Sequence, residues 1–253
     1  MDIARDTWLV FRRSVGITVR NPAWLVIGLT QPVLYLLLFG PLLRSVAGVR
    51  GFPAGGATNV FVPGLLIQLG LFGTAFVGFS LIAELRLGVV ERLRVTPVSR
   101  LALLLGRGLR DVLNLLVTSL LLVLVSLPFG LDLHPAGLAV FLVLQALLGL
   151  LFASLSYALA LWLRSEDAFA PLLTTVTLPL LLLSGVLLPL SLAPAWLRAV
   201  AAANPLSYAV DAARALFAGH LGDPGVARGL AIVAVLAVAS VVTSARAFSR
   251  VAA

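Results

Sequence analysis

The fold is decided by residues 133–163, LHPAGLAVFLVLQALLGLLFASLSYALALWL, which contain no charged side chain. About 20 helical residues are enough to cross the hydrocarbon core of a bilayer, which is about 30 Å thick. The whole chain is 61% hydrophobic and only 11% charged, whereas soluble domains are about 45–50% apolar. Lipid is therefore the expected solvent for most of the chain. Further charge-free stretches occupy residues 21–43, 51–83, 112–131, 168–197 and 229–245.

These stretches predict an all-α integral-membrane protein that forms one domain over residues 1–253. Only helices and closed barrels satisfy backbone hydrogen bonds in lipid, and runs this long are not barrel strands. Residues 44–59 are predicted to form a loop, 84–105 a charged cytoplasmic region and 190–225 an external segment. Six transmembrane helices are predicted, at residues 22–43, 60–83, 106–127, 136–163, 169–189 and 226–246.

The N-terminal residues 1–21 are predicted to form an amphipathic helix that lies in the membrane interface. Trp8, Phe11 and Val15 fall on one arc of the helix, and most of the charged residues fall on the other side. An ordinary helix that packs on a partner is the alternative interpretation.

The charges of the chain indicate its orientation in the membrane. All 18 basic residues are arginines, and the formal net charge is +8. Beside apolar spans such charge indicates topology and anionic headgroups rather than nucleic acid. The chain has no cysteine, which excludes disulfides and thiolate metal sites, and no metal site is predicted. With six spans and both termini in the cytoplasm, only five arginines lie outside: Arg44, Arg50, Arg198, Arg214 and Arg228.

The most informative charged segment is RLGVVERLRVTPVSR, residues 86–100. Thr96 precedes a proline and is therefore disfavoured in the α conformation, so a helix is expected to break there. Thr96 can cap the next helix, with Pro97 in its first turn, and Glu91 and Arg94 share one helix face. The segment predicts a helix, a break and a second helix between two spans. A simple anchoring loop on the positive side is the alternative, which explains the arginines but not the full pattern.

Prolines divide residues 190–225 into short pieces. Pro194 and Pro205 interrupt the apolar pattern, and short helices are predicted at 195–203 and 206–217. Asn204 is a natural cap for the second helix. Short helices here would enter the outer leaflet as a re-entrant hairpin, and a plain surface loop is the alternative.

Three motifs follow one another along the chain. The first is the FVPG sequence at 61–64, and the last is NPLSY at 204–208 followed by Asp211 and Arg214. Between them lies the segment with Gly88, Glu91, Leu93, Thr96, Pro97 and Arg100. In this order the motifs resemble the ABC-2 type permease family, which includes DrrB-like drug exporters and whose intracellular loop the middle motif matches. The resemblance covers almost the whole chain and agrees with its length and its predicted spans.

The resemblance implies the membrane subunit of an ATP-driven exporter that works as two copies with separate ABC ATPase subunits. ATP and Mg²⁺ would bind to the ATPase, and no cofactor is expected on this chain. The implied location is the bacterial cytoplasmic membrane. Residues 190–225 would form an external gate at Asn204, Pro205 and Tyr208. The implied ATPase-coupling residues are Arg86, Gly88, Glu91, Arg92, Arg94, Thr96, Pro97 and Arg100.

The sequence itself argues against an ATPase site on this chain, because a P-loop needs a lysine and the chain has none. A secondary transporter and an intramembrane enzyme are the alternatives. No span centre carries a clear charged residue, which argues against a proton-driven carrier, and His134 and His220 fall in predicted outer turns. A hydrophobic or amphipathic substrate, such as a drug, lipid or glycan, is expected. The residues predicted for its path are Gln68, Thr174, Thr175 and Thr177.

Overall fold

The computed structural model describes residues 3–20, 23–46, 56–87, 100–187 and 190–251. Regular structure within these ranges is helical, as the sequence predicts. Two single-turn 3₁₀ helices lie at Leu127–Phe129 and Leu190–Leu192. The α-helices of the described ranges are α1 (Ile3–Val19), α2 (Ala23–Val46), α3 (Gly56–Ala75), α4 (Gly78–Arg86), α5 (Arg100–Ser126), α6 (Pro135–Leu163), α7 (Glu166–Leu182), α8 (Ala195–Ala201), α9 (Pro205–Phe217) and α10 (Pro224–Val251).

Long apolar helices confirm that the chain is a multi-pass membrane protein. The predicted span at 169–189 corresponds to α7, which has 17 residues and ends at Leu182. The total of six spans therefore stays a prediction. Five segments of the described chain are long and apolar enough to cross a membrane: Ala23–Pro41, Gly56–Arg86, Ala102–Phe129, Pro135–Leu163 and Pro224–Phe248.

The second span differs from its prediction because it consists of two helices. α3 begins at Gly56, inside the predicted loop 44–59, and ends at Ala75. A short turn follows, and α4 continues to Arg86. The Gly78 N–H donates to Ser156 Oγ at 2.8 Å, and the same hydroxyl donates to Ala75 O at 2.5 Å. This hydroxyl satisfies the backbone N–H and C=O groups at the break. Residues 76–77 contain neither a proline nor a charged residue that would predict the break.

The third span also extends beyond its prediction. α5 begins at Arg100 rather than at residue 106 and is 27 residues long. The C-terminal part of the predicted charged region 84–105 is therefore helical.

α6 lies at the centre of the bundle, with α3, α5 and α10 packed around it. Phe141 and Leu144 in α6 are fully buried, and the Phe141 ring meets Phe217 of α9 edge to face, with 5.2 Å between ring centroids. Gly137 allows the backbone of α9 to approach, since a Cβ there would lie 2.1 Å from Leu216 O. The short helix α9 is thus part of the core.

α1 packs along α5 of its own chain. A Cβ at Gly106 would lie 2.7 Å from the Val10 side chain, so the two helices are in close contact. Trp8 remains 60% exposed. α1 therefore packs on the bundle of its own chain, and its position at a membrane interface stays a prediction.

The bundle has two distinct ends. The basic end is where α4 ends, α5 begins and α6 joins α7, and there Arg86 pairs with Glu166. At the opposite end, Asn59 Nδ2 donates to Asp132 Oδ2 at 2.7 Å, and His134 Nδ1 lies 3.0 Å from Phe217 O. These contacts fix the α3–α5–α6–α9 arrangement at the end opposite the Arg86–Glu166 pair.

Candidate functional site

At the basic end, two connections that are distant in sequence come together. Arg86 Nη1 of α4 lies 3.2 Å from Glu166 Oε1 of α7, and both side chains are partly exposed. The predicted coupling segment therefore begins beside the turn between α6 and α7. Arg100 is the first residue of α5. The other predicted coupling residues, Gly88, Glu91, Arg92, Arg94, Thr96 and Pro97, lie outside the described residues.

A buried polar cluster, which the sequence interpretation missed, lies just inside the basic end. Asp111 of α5 is 4% exposed and accepts a hydrogen bond from the hydroxyl of Tyr157 in α6, which is 1% exposed. Arg110 Nε donates to Asp111 Oδ1 at 2.9 Å, and Arg110 Nη2 donates to the same oxygen at 2.5 Å. A buried carboxylate is costly unless it is paired and hydrogen-bonded, and these contacts supply both.

The cluster continues to α4 through a second ion pair. Arg107 of α5 donates through Nη2 to Glu84 Oε2. Arg107 Nη1 is buried without a hydrogen bond in the described part of the chain. Glu84 lies two residues before Arg86, so the same short helix contacts both the buried cluster and the α6–α7 turn. A displacement of α4 would therefore act directly on α5, α6 and α7.

A sequence signal for the buried carboxylate does exist. Asp111 follows Leu104 by seven residues and precedes Leu115 by four, which places all three on one helix face. Both leucines are buried. A charged residue in register with an apolar stripe is a candidate for a buried, paired group.

At the opposite end, the predicted gate residues take defined structural roles. Asn204 caps α9 as predicted, because its Oδ1 accepts from Leu206 N at 3.0 Å. Its Nδ2 donates to Leu180 O at 2.7 Å, which ties the cap to α7. Pro205 is the first residue of α9. The gate function itself stays a prediction.

Tyr208 joins α9 to α10 at its exposed side. Its hydroxyl donates to Ala202 O at 2.9 Å. The Arg228 guanidinium lies 4.6 Å from the centre of the Tyr208 ring, a cation–π contact.

Arg214 binds two backbone carbonyls at the same end. Its Nε donates to Val60 O at 3.1 Å, and its Nη2 donates to Gly185 O at 2.7 Å. Burial lowers the pKa of Arg214 to about 10, although nearby Asp211 opposes this effect. The side chain stays charged at neutral pH and holds α9 against α3 and the end of α7.

The residues predicted for a substrate path do not form one surface. Gln68 is 4% exposed, and its Oε1 has no hydrogen bond among the described residues. Thr177 is buried and donates to Leu173 O, whereas Thr174 and Thr175 are exposed. In α7, only a stripe through Phe169, Leu173, Thr177 and Leu181 is buried.

The described residues contain no group of three or more His, Asp or Glu side chains that could hold a metal ion.

A bundle of long apolar helices with a buried polar cluster between them defines a polytopic membrane protein. The chain matches the ABC-2 type transporter family over residues 5–218 and belongs to it. The resemblance of its motifs is thereby confirmed. Members of this family are transport membrane subunits that are not themselves catalytic, and the family implies an ABC ATPase partner.

Several similar proteins are named as transport permeases. The putative transport permease ycf38 of Pyropia yezoensis is 31% identical over 201 residues, which are 78% of this chain and 69% of that protein. The daunorubicin resistance ABC transporter permease protein DrrB1 of Streptomyces coeruleorubidus is 27% identical, over 79% of this chain and 71% of its own. The probable doxorubicin resistance ABC transporter permease protein DrrC of Mycobacterium tuberculosis H37Rv is 27% identical, over 77% of this chain and 70% of its own.

Proposed function

We propose that this chain is the membrane subunit of an ATP-driven exporter, and that a separate ABC ATPase supplies the energy. The observation that carries the proposal is the Arg86–Glu166 contact at the basic end. It brings the start of the coupling segment and the α6–α7 turn to one surface, where a partner subunit can contact both. Family membership supports an ATPase as that partner.

The coupling route runs from the ATPase through α4 into the bundle. Residues 88–99 bind the ATPase, with Glu91, Arg92 and Arg94 as contacts. α4 passes the displacement to α5 through the Glu84–Arg107 pair and to α7 through the Arg86–Glu166 pair. The exposed Arg86–Glu166 pair contributes little stability, so it can break and reform during a transport cycle.

The substrate is a hydrophobic or amphipathic molecule, such as a drug, lipid or glycan, that leaves past Asn204, Pro205 and Tyr208. Thr174 and Thr175, which are exposed on α7, would face its path. The names of the Drr relatives support a drug-like compound. The proposed location is a bacterial cytoplasmic membrane, with both termini in the cytoplasm.

Two copies of the chain would form the transporter. α2 and α7 leave apolar side chains uncovered within one chain, since Ile27 is 74% and Leu182 is 61% exposed. Because the chain contains no cysteine, one cysteine introduced on α7, as in Leu182→Cys, reports a second copy by disulfide formation in membranes. Monomers only, with single cysteines along both α2 and α7, would contradict the homodimer.

Glu91→Ala tests the coupling role. We expect normal membrane insertion and retained ATPase binding, but loss of export, because the ATPase can no longer act on α4. Export of a fluorescent amphiphile and ATP hydrolysis are measured in the same vesicles that contain the chain and its co-purified ATPase. Asp223→Ala, an acidic-to-alanine change at the opposite end, is the matched control.

Two results would contradict the proposal. If no Walker-motif ATPase co-purifies with the chain from native membranes in a mild detergent, the ATP-driven mechanism is wrong. If Glu91→Ala exports normally at wild-type expression, Glu91 is not a coupling residue.

A further inference from the structure

A cleft of about 580 Å³ opens between the C-terminal part of α1, the start of α2, the α3–α4 span and α5. Its volume lies in the range of about 300–1,000 Å³ that is usual for small-molecule sites. None of the residues predicted for the substrate path lines it. All of the residues that line the cleft belong to one copy of the chain.

The lining of the cleft changes along its length. Leu69 of α3, Leu115 of α5 and Ile27 of α2 line the part toward the middle of the bundle. Ser80 of α4 and the ion pair of Arg110 and Asp111 in α5 line the part toward the basic end. The cleft is therefore apolar at its inner end and polar at the basic end, which is the distribution of an amphiphile.

Two hydrogen-bonding groups in the polar part are unused. Arg110 binds Asp111 through Nε and Nη2, and its Nη1 has no hydrogen bond among the described residues. The side-chain amide of Asn114 lines the cleft and likewise makes no hydrogen bond in the described ranges. Together they offer a charged donor and an amide to one headgroup.

The surface next to the cleft is strongly basic. Ile17 of α1 borders both the cleft and a shallow depression of about 480 Å³. Arg12, Arg13 and Arg20 line this depression, and none of the three forms an ion pair within the described residues. Three uncompensated positive charges at the mouth of the cleft favour an anionic headgroup.

We propose that this cleft binds an anionic amphiphile from the membrane leaflet at the basic end, with its phosphate or carboxylate at Arg110 and Asn114 and its chain between Leu69 and Leu115. The orientation matches that of a lipid in the leaflet on that side, headgroup outward and chain inward. The site does not depend on the ATP-driven mechanism, because it lies within one chain and binding needs no ATPase.

Trp24 lines the cleft and is a built-in reporter. The other three tryptophans, Trp8, Trp162 and Trp196, are 60%, 76% and 68% exposed, so phenylalanine can replace them without cavities in the core. The full-length single-tryptophan protein is reconstituted in phosphatidylcholine vesicles. Trp24 fluorescence is then measured against increasing mole fractions of phosphatidylglycerol brominated in mid-chain. Brominated phosphatidylcholine is the reference.

We expect half-maximal quenching at a roughly tenfold lower mole fraction for the anionic lipid, because charge-assisted hydrogen bonds to its phosphate add to the contacts of the chain. Asn114→Leu should lower this preference several-fold and cost no internal hydrogen bond. Gln31→Leu, the same change on an exposed part of α2, should leave it unchanged. Within the described residues, the one hydrogen bond of the Gln31 amide is to the Tyr35 hydroxyl, at 3.3 Å.

A second variant fills the cleft. A Cβ at Gly73 would make ordinary contact with Leu115 at 3.8 Å, so Gly73→Leu should fold, occupy the cleft and abolish selective quenching. Gly40→Leu, at a glycine with open space around it, is the control. Equal quenching by both lipids would overturn the proposal, as would selective quenching that survives Gly73→Leu, because the lipid would then lie outside the cleft.

Discussion

Tyr157→Phe removes one hydroxyl from the buried cluster and keeps the ring packing. Tyr157 is 1% and Asp111 4% exposed, so water does not replace the lost donor. Hydrogen bonds to charged groups contribute about 1.5–3 kcal/mol, whereas interhelical hydrogen bonds in membrane proteins reach at most about 1.7 kcal/mol. Arg110 still pairs with Asp111 in the variant. We therefore expect a loss of about 1.5 kcal/mol in the free energy of unfolding, where the two ranges overlap.

The matched control is Tyr208→Phe, which removes an exposed hydroxyl that donates to Ala202 O. Its expected loss is below about 0.5 kcal/mol. Unfolding is measured by steric trapping in bicelles, which gives an equilibrium free energy. In a detergent melt, about 1.5 kcal/mol corresponds to a fall in Tm of about 3–6 °C for a chain of this size.

A double-mutant cycle then identifies the partner of the hydroxyl. In an Asp111→Asn background the charged acceptor is gone, so Tyr157→Phe should cost about 1 kcal/mol less than in the wild type. Additive effects would show that the two side chains are not bonded to each other. Equal losses for Tyr157→Phe and Tyr208→Phe would refute the buried cluster itself.

Two further substitutions test the break in the second span and the cap of α9. Gly78→Ala places a Cβ 2.5 Å from Phe169 Cζ and should lower the free energy of unfolding by about 1–3 kcal/mol through overpacking. Gly40→Ala, the control, has open space and should be neutral or stabilising by up to about 1 kcal/mol. Equal Tm shifts of the two variants in detergent would contradict this prediction. Asn204→Ala should cost at least about 1 kcal/mol, the value of a cap, because it also removes the bond to Leu180 O; an unchanged Tm would show that the cap is not formed.

The lengths of the charge-free stretches were enough to predict most of the long helices. Residues 133–163 predict a span, and the structure has α6 at Pro135–Leu163. The two short helices before α10 could be predicted because proline and asparagine restrict the local backbone. The side chain of Asn204 accepts a hydrogen bond from Leu206 N, only two residues further along the chain. Because this contact is local, the capping role could be predicted from the sequence.

Features that depend on distant contacts could not be predicted in the same way. Asp111 lies near the start of the predicted span 106–127, beside Arg107 and Arg110, and its burial depends on Tyr157, which is 46 residues away. The end of α3 depends on Ser156 of another helix. α7 contains Pro171 and Pro179, and its prediction as a full span rested on apolar composition, which does not fix where a helix ends.

The hydroxyl of Ser156 holds two backbone groups at the interruption between α3 and α4. A homologue with the interruption but without this serine would have a buried amide and a buried carbonyl without hydrogen bonds. The serine and the interruption are therefore expected to occur together. Homologues with a continuous second span do not need a hydroxyl at position 156 and can have other residues there. We therefore expect positions 78 and 156 to covary across the family, and the residue pair to distinguish members with an interrupted second span from members with a continuous one.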